Sequence, residues 1–122
     1  MRFTQESNPA VNVIRAYGNG ELRVNEIAYR GAVILSASTA EDLPNVHNFE
    51  DLIAIDVSRI LKLEPELVLL GTGARQIFPA GSFGAQFLRK GIGFEVMDTG
   101  AACRTFNVLV GEQRRVAALL LA

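Results

Sequence analysis

Side chains that usually announce chemistry are scarce in this chain. Its 122 residues contain one cysteine, Cys103, and one histidine, His47. A lone cysteine cannot form an intramolecular disulfide and excludes a cysteine-cluster metal site; one histidine cannot build a usual zinc site. No metal or other cofactor is expected. Excess charge of one sign is lacking too. Twelve Lys and Arg face thirteen Asp and Glu, for a net charge of −1. Holding a phosphate backbone needs clustered cations, and only Arg89-Lys90 and Arg114-Arg115 are adjacent pairs, so no nucleic-acid partner is expected. The longest apolar run, Val116 to Ala122, is seven residues, against the ~20 that a membrane-spanning helix takes. Met1 to Glu6 contains no apolar stretch of signal-peptide length. With cysteine usage that suits a reducing compartment, the expectation is a cytoplasmic protein without a membrane span.

What is present reads as one domain over residues 1–122, with 49% hydrophobic residues. A chain of this size buries roughly two-thirds of its unfolded surface and needs no staples. Residues 1–10 are polar, carry Asn8-Pro9, and read as a loosely ordered arm. Val11 to Tyr17 is rich in β-branched and aromatic residues and reads as a strand. Gly18-Asn19-Gly20 supplies the positive φ angles of a tight hairpin. Glu21 to Val24 alternates as a half-buried return strand should. Asn25-Glu26 is a second turn, followed by Ile27 to Tyr29 and then Ala32 to Ser36. The expected N-terminal unit is an antiparallel meander. Residues 37–48 have loop composition, and a short helix is expected within 51–62, stopped at Glu64-Pro65-Glu66.

The second half predicts a strand–helix–strand–helix–strand unit. Leu67 to Leu70 is wholly apolar, as a strand buried on both faces is. Ser82 is the expected cap of a helix over Phe83 to Lys90, with its stop at Gly91 and Gly93. Phe94 to Met97 is the next strand. Asp98 or Thr99 caps a helix whose apolar stripe is Ala102, Cys103, Phe106, Leu109 and Val110, with Arg104, Thr105 and Asn107 facing elsewhere. Val116 to Leu121 is the last buried strand. Helical connections imply parallel pairing through right-handed crossovers. The fold class is therefore α/β, an antiparallel meander joined to a C-terminal βαβαβ unit with parallel strands.

Candidate ligand-binding residues gather where that first parallel strand ends. Gly71-Thr72-Gly73 lies at the carboxyl end, the edge where open α/β sheets take ligands. Without side chains at 71 and 73, backbone amides can approach an anion; the alternative is a tight turn. The dinucleotide fingerprint needs a third glycine where Gln76 stands, and Pro79 delays the helix, so the standard phosphate patterns do not apply. Arg75 follows the turn as a candidate contact to an anion or to an acidic partner protein, or as a solvated loop residue. Asp98 and Thr99, ending the next strand, join Gly71, Gly73 and Arg75 as candidates or serve as helix caps. Cys103, beside Arg104 in the early turns of the last helix, is a candidate reactive thiol or a small core residue. No catalytic constellation is complete.

Three strings carry a family resemblance: Pro65 to Gly73, Phe94 to Asn107, and Arg115 to Leu120. Together they resemble the small Mth-type domain family of unknown function, which includes the mitochondrial complex I assembly factor three and bacterial relatives. The resemblance covers Glu64 to Leu121 strongly and the meander, with Asn25, Tyr29 and Gly31, more loosely. It implies an α/β domain with a mixed sheet plus extra antiparallel strands. It carries over no enzyme activity, and it implies a non-enzymatic interaction or assembly factor with a protein partner; a homodimer is a separate candidate state of the chain. The contrasting expectation is a small-molecule or anion-binding domain, or an enzyme, using the Gly71-Thr72-Gly73 edge.

Overall fold

Asn19-Gly20 closes the first hairpin. The computed structural model, which describes residues 11–122, places it between β1 (Ile14–Gly18) and β2 (Glu21–Val24). Asn19 has φ 54°, the left-handed value such a turn demands. The arm expected over residues 1–10 lies outside the described residues. Asn25, also at φ 54°, turns the chain into β3 (Ile27–Tyr29). These three strands form an antiparallel sheet of their own, in order β1-β2-β3. β1 begins at Ile14 rather than Val11 because the residues before it are bonded elsewhere. The Asn12 amide N–H donates to the Ala37 carbonyl at 2.8 Å, and its side chain donates to the Ser36 carbonyl.

The chain continues through β4 (Ala32–Ser36), β5 (Ala40–Leu43), α1 (Phe49–Leu52), α2 (Ser58–Leu61), β6 (Leu67–Gly71), α3 (Gly81–Leu88), β7 (Gly93–Met97), α4 (Thr99–Gly111) and β8 (Val116–Leu121). A second, five-stranded sheet runs in order β5-β4-β8-β6-β7. β6 is parallel to both β7 and β8, while β4 is antiparallel to β8 and β5. The C-terminal βαβαβ unit is therefore as expected, and the sheet is mixed.

Three expectations are corrected. The meander does not extend into Ala32–Ser36: β4 leaves the small sheet for the large one, where its run of five residues finds apolar cover on both faces. The polar stretch 37–48 is not all loop, since Ala40–Leu43 forms β5. As the outer strand it buries only Leu43, so it needs no apolar run. The expected single helix within 51–62 is two helices of four residues each. Ile55 and Val57, which spoil the helical period, stand between them and still pack against the core.

Alternation across the large sheet builds two cores. Val33, Leu35, Leu69, Ala118 and Leu120 face α4 and the small sheet, meeting Leu22, Val24, Cys103 and Phe106. Ile34, Val68, Leu70, Ala117 and Leu119 face the other side, meeting Leu52, Ile60 and the rings of Phe83 and Phe87. Phe87 stacks on Phe94 with ring centroids 5.4 Å apart. Burial on both faces is why β6 and β8 are almost wholly apolar. α4 packs on β6 and β8 of the large sheet and against β1 of the small one, and its N-terminus, the end of β6 and the end of β8 meet at one edge.

Candidate functional site

That edge is built around Thr99. Its side chain is fully buried, and its hydroxyl accepts the Gly73 N–H at 2.7 Å and donates to the Leu121 carbonyl at 2.8 Å. The Thr99 N–H donates to the Gly73 carbonyl at 2.8 Å. One side chain thus joins the turn after β6, the start of α4 and the end of β8. Gly71 makes the approach close enough. A Cβ there would stand 3.0 Å from the Thr99 hydroxyl and 3.2 Å from its Cα, with Leu120 Cδ2 at 2.8 Å. Gly73 turns the chain at φ 98°, a region that side-chain-bearing residues avoid.

Thr72 closes the turn from the other side. Its N–H donates to the Met97 carbonyl at 2.9 Å. Its hydroxyl accepts the Ile77 N–H at 3.0 Å and donates to the Arg75 carbonyl. Gln76 donates from its side-chain amide to the Val96 carbonyl at 3.0 Å. Asp98 is the N-cap of α4, its carboxylate accepting the Ala101 N–H at 2.9 Å. Among the candidates, Gly71, Gly73, Asp98 and Thr99 therefore come together, and the amides of Thr72, Gly73 and Thr99 are all bonded inside the protein. Arg75 is exposed on the loop that leaves the turn, with Phe78 three residues further on and 70% exposed.

Ser82 is not the cap of α3. It is exposed in the first helical turn, and Ala80 stands at the N-cap with no side-chain bond. His47 is exposed in the segment before α1. Among the described residues, no group of three or more His, Cys, Asp and Glu is placed to hold a metal. Cys103 is buried in the core beneath α4, and burial pushes its thiol up to about 11; Arg104 pulls it down by less, and Asp98 adds to the rise. The thiol is protonated at neutral pH.

Two features were not legible as site residues. Asn107 sits on α4 but serves β1 as a strand would: its side-chain oxygen accepts the Ile14 N–H at 2.9 Å, and its side-chain amide donates to the Ile14 carbonyl at 2.9 Å. Beside that pairing, β1 and α4 enclose a cleft of about 230 Å³, walled by Ile14 to Tyr17 on one side and Gly100, Cys103, Arg104 and Asn107 on the other. The spacing 100, 104, 107 was the available signal, since it marks one helical face. Burial raises the Tyr17 phenol above its ordinary range, the nearby Thr99 hydroxyl opposing the rise in part, so it stays neutral at neutral pH. A larger cleft of about 320 Å³ opens at the opposite edge, near Leu63, Pro65 and Arg115.

Comparison with known proteins adds the following. The family model for a protein of unknown function, DUF498/DUF598, matches residues 14–121. A 13 kDa major membrane protein of Francisella tularensis subsp. holarctica is 28% identical over 122 residues, covering 99% of both chains. NADH dehydrogenase [ubiquinone] 1 alpha subcomplex assembly factor 3 of Danio rerio is 39% identical over 79 residues, 63% of this chain. The match spans 45% of that relative's own length. The solution structure of a Mth938-like domain from Bordetella pertussis superposes with a TM-score of 0.78 at 29% identity, covering 99% of this chain and 92% of that one. No helix among the described residues is long and apolar enough to cross a membrane.

Proposed function

The chain belongs to the DUF498/DUF598 family of proteins of unknown function, and from that premise we propose that it is a non-enzymatic protein-interaction factor of the assembly type, working in the cytoplasm. The observation that carries this reading is Phe78, 70% exposed on the loop that also presents Arg75. Aromatic and arginine side chains are the residue types that dominate binding energy at protein interfaces. The base of the loop is held by Thr72, whose hydroxyl bonds Ile77 and Arg75, so the two side chains are offered from a fixed turn. A partner that fits presents an apolar socket for Phe78 and a carboxylate for Arg75. The assembly-factor name of the Danio rerio relative supports a role in building a respiratory NADH dehydrogenase.

The test is genetic and quantitative. In a strain lacking the protein, the amount of assembled respiratory NADH dehydrogenase should fall. The wild-type gene should restore it, and Phe78→Ala should not. Unchanged assembly in the deletion strain would reject the assembly role. Full rescue by a Phe78→Ala, Arg75→Ala double variant would reject the loop as the contact. The second reading, an anion-binding domain, is favoured by one observation, the arginine-lined cleft beside Gly100.

A further inference from the structure

The anion chemistry expected at the glycine turn has a better home one wall away. The turn's own amides at Thr72, Gly73 and Thr99 are bonded internally. In the cleft between β1 and α4, two guanidinium groups on separate elements, Arg15 and Arg104, line one space of about 230 Å³. Neither has a carboxylate within ion-pair distance among the described residues, where Arg23, Arg30, Arg59 and Arg114 form the ion pairs. Asp98 is the nearby carboxylate: its Oδ1 caps α4 and borders the Gly100 end of the cleft without pairing to either arginine.

The backbone explains how Arg15 comes to be there. Strict alternation would turn successive residues of a strand to opposite faces, yet Ile14, Arg15, Ala16 and Tyr17 all line this cleft. The β1–β2 register slips between Ile14, paired with Val24, and Ala16, paired with Arg23. Arg15 is therefore the extra residue of a β-bulge, a device that re-aims side chains beside sites. The Asn107 amide pins Ile14 on both its N–H and its carbonyl, which fixes the bulge against α4. Opposite, Gly100 leaves the floor open. A Cβ there would stand 3.3 Å from Asp98 Oδ1, 3.7 Å from Arg104 Nη1 and 3.7 Å from Tyr17 Cδ2, so the guanidinium and the capping carboxylate both border the missing side chain.

We propose that this cleft is a binding site for a small phosphate monoester, gripped by Arg15 and Arg104. Guanidinium forks match phosphate oxygens in bidentate geometry. The non-bridging oxygens of a phosphate monoester can engage both forks at once, whereas the two oxygens of a monocarboxylate fill only one. The Tyr17 ring flanks the place where the esterified group would lie. This site is independent of the Phe78 loop and stands or falls separately.

The experiment is a calorimetric titration of the full chain with phenyl phosphate at constant ionic strength, with inorganic phosphate and benzoate as parallel arms. Saturable binding of phenyl phosphate is expected, tighter than either of the others. Arg15→Gln and Arg104→Gln should each weaken it about tenfold or more, the loss of one charge-assisted contact, while Arg75→Gln leaves it unchanged. Both arginines are exposed, so the variants should fold, and their thermal melts check that. Equal or tighter binding of benzoate or of inorganic phosphate would overturn the assignment to a monoester. Loss in Arg75→Gln, retention in Arg104→Gln, or no saturable binding of phenyl phosphate would overturn the site.

Discussion

Thr99 and Gly73 exchange two hydrogen bonds. The Gly73 N–H donates to the threonine hydroxyl at 2.7 Å, and the Thr99 N–H donates to the glycine carbonyl at 2.8 Å. The hydroxyl proton then goes to Leu121 at 2.8 Å, so this buried side chain both accepts and donates inside the protein. Thr99→Val keeps the shape but leaves the Gly73 N–H and the Leu121 carbonyl without their partner. The expected loss is about 2–4 kcal/mol, the penalty for two stranded buried groups. Thr99→Ser keeps both bonds and should lose far less. Urea midpoints of the two variants check this; equal losses would mean that packing, not the hydroxyl, holds the edge.

Gly73→Ala places a side chain at φ 98°. The nearest obstacle is Leu121 Cδ2 at 3.4 Å, ordinary contact, so the cost is in the backbone. A loss of about 1–3 kcal/mol is expected. Gly71→Ala differs in kind, because its Cβ would meet the Thr99 Cα at 3.2 Å and the first turn of α4 must give way. Its signature is a displaced α4 N-terminus, seen as chemical-shift changes that run from Thr99 through Cys103, whereas those of Gly73→Ala should centre on the turn and on Thr99, its bonded partner.

These positions show where sequence reasoning succeeds and stops. β6 and β8 were legible because burial on both faces requires unbroken apolar runs. The glycine turn was legible because its conformation needs glycine at 73. β5 was hidden because an outer strand burying only Leu43 needs no pattern that separates it from a loop. The split into α1 and α2 was hidden because Ile55 and Val57 pack on the core from outside any helix. Arg15 could not be placed from the sequence, since its direction depends on a register slip against β2. The partner of Asn107 lies 93 residues away, beyond any local rule.

Asn107→Ala removes both bonds that hold β1 at Ile14. The Ile14 amide should lose most of its protection from hydrogen exchange, and global stability should fall by about 1–3 kcal/mol. Asn107→Asp keeps an acceptor for the Ile14 N–H but sets a carboxylate oxygen against its carbonyl, so it should be at least as damaging. An Ile14 amide that stays protected in Asn107→Ala would show that Leu22 and Val24, the buried residues of β2, suffice to hold the small sheet on α4.

Cys103 tests whether the thiol is chemistry or core. Burial pushes it from 9.0 up to about 11, which makes the reactive thiolate roughly a hundredfold scarcer near neutral pH. Labelling of the folded protein by a thiol reagent should therefore be at least about a hundredfold slower than labelling in urea. The same shift fixes a pH dependence. Below 9.0 the thiol is protonated folded and unfolded, and its contribution to stability is fully present. Between 9.0 and about 11 the unfolded chain ionises first, the folded state binds the extra proton, and stability falls as pH rises. Tyr17 and Tyr29, both raised chiefly by burial, act with the same sign in alkali, so the measurement is the difference between the wild type and Cys103→Ala. The wild type should lose stability more steeply through that window. Equal slopes, or fast labelling of the native protein at neutral pH, would place the Cys103 sulfur in contact with solvent rather than in the core beneath α4.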